Sequence, residues 1–419
     1  MNGRKRSCAL LAPLLIASAA YAQRSELTLA RAVELARANA PQLQAQAAAM
    51  ESAEASVASA GRLPDPALVV GIDNLPVTSD DAWSVSRDFM TMRKIGVMQD
   101  FPNARKRSAQ RASAEATVSV IRSETAQADL DIARAAAEAW VDVYAAERLE
   151  NNLRALRPEL ELQAKAVNAA LASGRASSAD ALTAQAAILD LDDRLLQAQR
   201  AKRTARIVLA RWTGEESSTA SLSSAPAFEQ LPVARNAVLT TLHQHASVAA
   251  FESQLALAQT QIDLAKAQKH ADWSAELAYA RRGDAFSDMV SLEFKVGLPL
   301  FSRNRQDPAI MAKRAEFRRL EYLRDTELRM HTEEVASTLA AWQSAHDRAD
   351  LYRAERLPLA QQRVQAALAG YRTANSGLAE VLNSVVAEAE LQQTYSEVLR
   401  ELGRAWVFLR YLQPQEGSP

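Results

Sequence analysis

The apolar positions of this chain fall into two periods that alternate along it. From Leu29 through Val33, Ala36, Ala40, Leu43, Ala47 and Met50 to Val57 they recur at spacings of three and four, with Glu54 as the one break. The same spacing returns through Ile188, Leu191, Leu195, Ala198, Ala205, Leu209 and Trp212, where Lys202 interrupts it. It appears again in Leu391, Tyr395, Val398, Leu402, Ala405, Leu409 and Leu412. Such seams line one helix face and call for a partner helix. Alanine-rich seams let helices approach closely, which suits extended packing more than a thick globular core.

Four short stretches switch to period two. After Pro64-Asp65-Pro66, which ends the first helix, Leu68, Val70 and Ile72 share one face. Ile95 and Val97 then oppose Lys94 and Gly96, and Trp273, Ala275, Leu277 and Tyr279 alternate with Ser274 and Glu276. Val290, Leu292, Phe294, Val296 and Leu298 alternate with Ser291, Glu293, Lys295 and Gly297. One apolar and one polar face marks a half-buried strand. Strands are therefore predicted at about 67–76, 92–101, 273–282 and 289–300, each long enough to cross a bilayer within a barrel of polar lumen. Four strands cannot close such a barrel usefully, so the protein is predicted to oligomerise.

Lengths organise the helices. Residues 103–172 read as one helical run, with Pro158 as a possible break, of roughly 70 residues or ~105 Å. Residues 28–63 and 178–213 are each about half as long, and 303–373 stands in the same relation to 235–270 and 376–412. The halves also repeat in sequence with a shift of 200 residues: Phe101 and Phe301, Arg105 and Arg305, Arg148 and Arg348, Pro158 and Pro358, Leu182 and Leu382, Leu191 and Leu391, Arg200 and Arg400, Leu209 and Leu409. Lys94-Ile95-Gly96-Val97 and Lys295-Val296-Gly297-Leu298 align with a one-residue slip. An internal duplication of this reach decides the architecture. The reading is a first repeat at 23–213, a linker at 214–234, a second repeat at 235–412 and a tail at 413–419.

Residues 1–22 read as a secretory leader: Arg4, Lys5 and Arg6, an apolar stretch from Cys8 to Ile16, then Ala20-Tyr21-Ala22 as the cleavage signal. The one cysteine, Cys8, lies well before that signal, so neither a lipid anchor nor a disulfide is expected in the mature chain. Without the leader, 46 of the 49 basic residues face 50 acidic ones, a balance that offers no strong field for nucleic acid. Only 12 glycines, with abundant alanine, glutamine, arginine and leucine, favour long helices over a compact α/β enzyme.

With these elements in place the chain resembles the TolC family of outer-membrane efflux proteins, and within it the branch that serves heavy-metal exporters. The resemblance runs over nearly the whole mature length. Its signatures are Leu63-Pro64-Asp65-Pro66, Gly96-Val97-Met98-Gln99-Asp100-Phe101-Pro102, the stretch from Ala172-Ser173-Gly174 through Asp180-Ala181-Leu182, and that from Ala374 through Glu380-Val381-Leu382-Asn383. It implies a mainly α fold of duplicated long helical hairpins with a small β portion. Three protomers would form a twelve-stranded barrel in outer-membrane lipid, continued by a periplasmic α-barrel tunnel. Implied partners are a periplasmic adaptor (membrane fusion) protein and an inner-membrane pump of RND type; no cofactor is implied.

Carried over residue by residue, the resemblance puts Gly174 and Ala374 at two tip turns. Ser173, Arg175 and Ala176, with Thr373, Asn375 and Ser376, flank them as adaptor contacts. Glu380, Asn383 and Asp180 stand at the pore constriction; Ala374 for glycine and Asn383 for a second acid depart from the family pattern. Acids ringed around a pore attract cations. For Glu380 that role stands beside an ordinary solvated helix residue, and Asp180 reads more simply as a first-turn acid stabilised by the helix dipole.

Other candidate chemistry has plainer readings. His243 and His245 are two apart on a helix, do not face each other, and read as a surface pair. Met90, Met92 and Met98 could attract a soft metal, but strand packing explains Met92 and Met98 more simply. No phosphate-cradling glycine loop, HExxH or GxSxG occurs, and His270, His331 and His346 lack carboxylates at ligand spacing. The expectation is a non-enzymatic exit duct of a tripartite efflux system for heavy-metal cations. The alternatives are a duct for drugs or secreted proteins, or a structural coiled-coil protein of the envelope.

Overall fold

The computed structural model describes residues 26–240, 242, 245–373 and 375–413. The leader at 1–22, Ala374, His243 and the tail beyond Gln413 lie outside them. In chain order the elements are α1 (Leu29–Asn39), α2 (Pro41–Ser59), β1 (Ala67–Asp73), β2 (Met92–Phe101), α3 (Ala104–Ala172), α4 (Ser178–Thr213) and α5 (Glu215–Ser218). There follow α6 (Arg235–Thr240), α7 (Ala246–Ala267), β3 (Trp273–Arg281), β4 (Met289–Val296), α8 (Gln306–Leu351), a π turn at Tyr352–Arg356, α9 (Leu357–Arg372) and α10 (Leu378–Arg410).

The helix at 28–63 is two helices rather than one. Pro41 disfavours helical backbone at the residue before it, so Ala40 is extended at ψ 111° and Pro41 starts α2 at the first turn, where its missing N–H costs nothing. Proline acts differently in the two long helices. Pro158 lies inside α3, which continues for 69 residues, or about 104 Å. Its counterpart Pro358 sits in the first turn of α9, and the backbone widens into the π turn just before it, so the run at 303–373 is interrupted. The segment at 235–270 is likewise divided into α6 and α7. Strands β1 and β4 end at Asp73 and Val296, a few residues short of the expected limits, and β3 ends at Arg281, next to its expected limit.

All four strands form one antiparallel sheet in the order β1-β2-β3-β4. The register sets Leu68 opposite Val97, Val97 opposite Leu277 and Leu277 opposite Leu292, so the four apolar faces coincide. The other face is concave and needs small residues: a Cβ on Gly96 would lie 2.7 Å from the Ala278 Cβ. Ala278 and Ala280 are buried there, whereas Val70, Val290 and Leu292 on the convex face are 70%, 71% and 63% exposed.

Away from the sheet the helices lie side by side. Next to it the order is α2, α3, α7, α8; at the far end it is α4, α3, α10, α9. Where the two sets meet, a core gathers Val33, Trp140, Leu209, Val335, Trp342 and Leu402. The duplication is visible in its tryptophans. Trp140 Nε1 donates to the Leu27 carbonyl at 2.8 Å, and Trp342 Nε1 donates to the Phe228 carbonyl at 3.0 Å. A second core, with Leu160, Val167, Leu191, Val364, Val381 and Val385, fills the far hairpins.

Candidate functional site

At the far end the two hairpins turn back through the tip residues. Helix α3 closes at Ser173, and Gly174 takes φ 71°, a left-handed conformation that favours glycine. The Arg175 N–H then reaches the Ala170 carbonyl at 2.8 Å. Two hundred residues on, the Asn375 N–H reaches the Gly370 carbonyl at 2.9 Å, and Thr373 caps α9. Ser173, Arg175, Thr373 and Asn375 are exposed, while Ala176 and Ser376 are half-buried. The Ser376 hydroxyl donates to the Ala367 carbonyl at 3.3 Å.

The two acids next to these turns have different environments. Asp180 closes a capping box: its Oδ2 accepts from the Ser177 N–H at 2.9 Å and from the Ser177 hydroxyl at 2.7 Å, and its own N–H donates to Ser177 Oγ at 3.2 Å. These donors, the backbone N–H foremost, hold the Asp180 carboxyl below the ordinary aspartate range. In the second repeat Gly377 takes the place of Ser177 and makes no side-chain cap. Glu380 is exposed, with no side-chain partner among the described residues, and Asn383 is exposed one turn along. Sequence reasoning passed over Ser177, although the Ser-x-x-Asp spacing displays it.

Above the tips, the first repeat's hairpin is tied to the second by Arg194. It pairs with Asp190 at 2.9 Å on its own helix and with Glu390 of α10 at 3.0 Å. Arg157 joins α3 to α4 through Asp192 at 2.7 Å, and this guanidinium holds the Asp192 carboxyl low. Asn152 and Gln392 link α3 to α10 at 2.8 Å. Glu388 is buried nearby; burial pushes its carboxyl up, Gln361 opposes this by hydrogen bonding, and Glu159 reinforces it.

At the opposite end the concave face of the sheet carries the polar set. Lys94 lies 3.7 Å from Asp73 and 3.1 Å from Glu276, and Lys295 lies 4.0 Å from Glu276 and 3.4 Å from Glu293. The chain of charges crosses all four strands. Met92 and Met98 belong to this same concave face by register, opposite Asp73 and Glu276. Met90 is exposed in the loop before β2.

The histidine reading needs correction. His245 is not a surface residue: it is 1% exposed, at the start of α7, with Nδ1 2.6 Å from Nε2 of His331 on α8. Burial, then the neighbouring imidazole, pushes the His245 pKa down to about 4. Carboxylates also stand closer to histidine than expected, with Glu334 3.5 Å from His331 and Asp347 3.3 Å from His346. Among the described residues no three histidine, cysteine or acidic side chains gather as a metal site. No described helix is long and apolar enough to cross a membrane.

A family model described as outer membrane efflux protein matches residues 32–215. The family is one of outer-membrane ducts, not enzymes. Solved structures share the whole fold. A membrane protein from Pseudomonas aeruginosa superimposes with TM-score 0.79 at 15% identity, covering 92% of this chain and 90% of that one. The outer membrane protein VceC from Vibrio cholerae gives 0.74 at 18% identity, with 92% and 95% covered. CusC, described for its transmembrane channel formation, gives 0.72 at 16% identity, with 93% of each chain covered. No curated protein matches the sequence significantly.

Proposed function

We propose that this chain is the outer-membrane exit duct of a tripartite efflux system, assembled as a homotrimer. The observation that carries the reading is the pair of unfilled edges. One side of the protomer ends in β1, α2 and α4, the other in β4, α8 and α9. Among the described residues both sheet edges lack a hydrogen-bonded neighbour, and an open edge of exposed apolar strands requires a partner. On α4, Leu182, Leu189 and Leu196 recur every seven residues at 67%, 62% and 64% exposure, a coiled-coil seam without its second helix. On the other side Leu351 and Leu359 are 45% and 58% exposed. Unlike edges that meet head to tail close into a ring. Three copies bring twelve strands into one barrel, apolar outside and charged within, above a tunnel of helices.

In this assembly the tips at Ser173–Ala176 and Thr373–Ser376 meet the periplasmic adaptor, and an inner-membrane pump of RND type supplies the energy. Glu380 and Asn383 face the entrance constriction, with Glu380 as the cation-attracting ring. Asp180 serves its own helix N-terminus, since both lone-pair directions of Oδ2 are engaged by Ser177. Heavy-metal cations are the proposed cargo, on the strength of the Leu63–Pro66 and Gly96–Pro102 motifs. Growth of a deletion strain, with and without the restored gene, across copper, silver, zinc, cobalt, cadmium and a drug panel tests the cargo. Rescue confined to metals supports it; rescue confined to drugs moves the duct to a different pump.

A further inference from the structure

The convex face of the sheet is apolar except at two places. Gln99, at the helix end, is held by the Pro64 carbonyl at 2.7 Å. At the opposite end, next to the loops, Arg93 on β2 stands directly opposite Arg281 on β3. Like charges directly opposed on neighbouring strands destabilise a sheet. On the concave face of the same sheet Glu276 also stands directly opposite Glu293, but there Lys94 at 3.1 Å from Glu276 and Lys295 at 3.4 Å from Glu293 supply the counter-charge.

Local partners do not resolve the arginine pair. Arg93 has no acidic partner within ion-pair distance among the described residues; one guanidinium N–H donates to the Arg282 carbonyl at 3.3 Å. Among the described residues the acidic partner of Arg281 is Asp284, at 3.3 Å, which is 94% exposed. Arg282 is engaged differently: it donates to the Ser287 carbonyl at 2.8 Å and lies over the Phe286 ring. Immediately toward the helices the same face carries Val70, Ile95, Tyr279 and Val290 in one row. The two guanidinium groups thus sit on the rim of an apolar surface, with an interfacial tyrosine one pleat below.

We propose that Arg93 and Arg281 form a phosphate-binding pair for the anionic headgroup of an outer-leaflet lipid. This rests on the duct reading, which puts the convex face in the outer membrane and the loops outside. A lipid phosphate at that depth neutralises both guanidinium groups and accepts from their paired N–H donors, the geometry arginine suits best. A lipid is the occupant because the pair is continuous with the apolar face, so that acyl chains cover Val70, Ile95 and Val290 while the phosphate reaches the arginines.

The test uses full-length protein in phosphatidylethanolamine nanodiscs doped with a bisphosphorylated glucosamine disaccharide lipid or its phosphatase-treated form. Retained lipid is counted by native mass spectrometry, and thermal stability is followed in parallel. Wild type is expected to retain the phosphorylated form about tenfold better. The Arg93→Gln/Arg281→Gln double variant is expected to lose that preference while Lys313→Gln on α8 keeps it. Equal retention of both forms by wild type, an unchanged preference in the double variant, or full competition by inorganic phosphate overturns the proposal. Failure of folded wild type to enter the nanodiscs contradicts the duct reading itself; entry without a phosphate preference contradicts this inference alone.

Discussion

Acidification should loosen the middle of the molecule through one pair of imidazoles. His245 is 1% exposed and His331 6%, with Nδ1 and Nε2 2.6 Å apart, so one ring must donate and the other accept; both cannot be charged. The folded-state pKa of His245 is about 4, against an ordinary 6.5. Because the folded value is depressed, the unfolded chain takes the proton first. The contribution to stability is intact above pH 6.5 and is lost as pH falls from there toward 4. Linkage over that window gives a loss of about 2 kcal/mol by pH 5 and about 3 kcal/mol in full.

Burial of Glu138 and Glu388 pushes their carboxyls up, so their protonation opposes the loss as pH falls. A difference between proteins therefore isolates the imidazoles. His245→Asn sets an amide where Nδ1 was, and His331→Gln sets one where Nε2 was. The double variant can keep the hydrogen bond without the titration. Thermal melts of wild type and double variant should converge at pH 7.5 and separate by several degrees at pH 5, with wild type falling further. Parallel pH dependence of the two proteins would refute the reasoning.

Other consequences are as direct. Leu189→Glu, on a residue 62% exposed in the protomer, should yield folded monomers by light scattering, with unchanged helical circular dichroism. Trp140→Phe keeps most of the burial but removes the donor to the Leu27 carbonyl; a loss of about 1–2 kcal/mol in denaturant unfolding is expected, against about 3–5 kcal/mol for Trp140→Ala. Glu380→Ala should raise single-channel conductance and sensitivity to large antibiotics, whereas unchanged conductance would argue against a gating role. Ser177→Ala should lower thermal stability and fray the start of α4, because it removes the hydroxyl that caps the Asp180 N–H.

The strands were legible because period two needs no partner to be read: Leu68, Ile95, Leu277 and Leu292 each announced a face that the register then joined. Helices α4 and α10 were legible from their seams and α3 from its length, whereas the Gly174 turn came from the family resemblance rather than from the residue itself. What escaped was set by distance along the chain. His245 looked like a surface residue because its partner lies 86 positions away. Arg194 and Glu390 are separated by 196 residues and meet only once the hairpins pack. The π turn before Pro358 has no counterpart at Pro158, although both sites carry proline in an apolar helical context.

The claim on which the rest depends is ring closure of unlike edges. Electron-microscopic class averages of the detergent-purified full-length protein, viewed down the sheet end, test it most directly. The account predicts a threefold ring with a central channel continuous from barrel to helical tunnel. Monomers, or twofold particles without a channel, would contradict it.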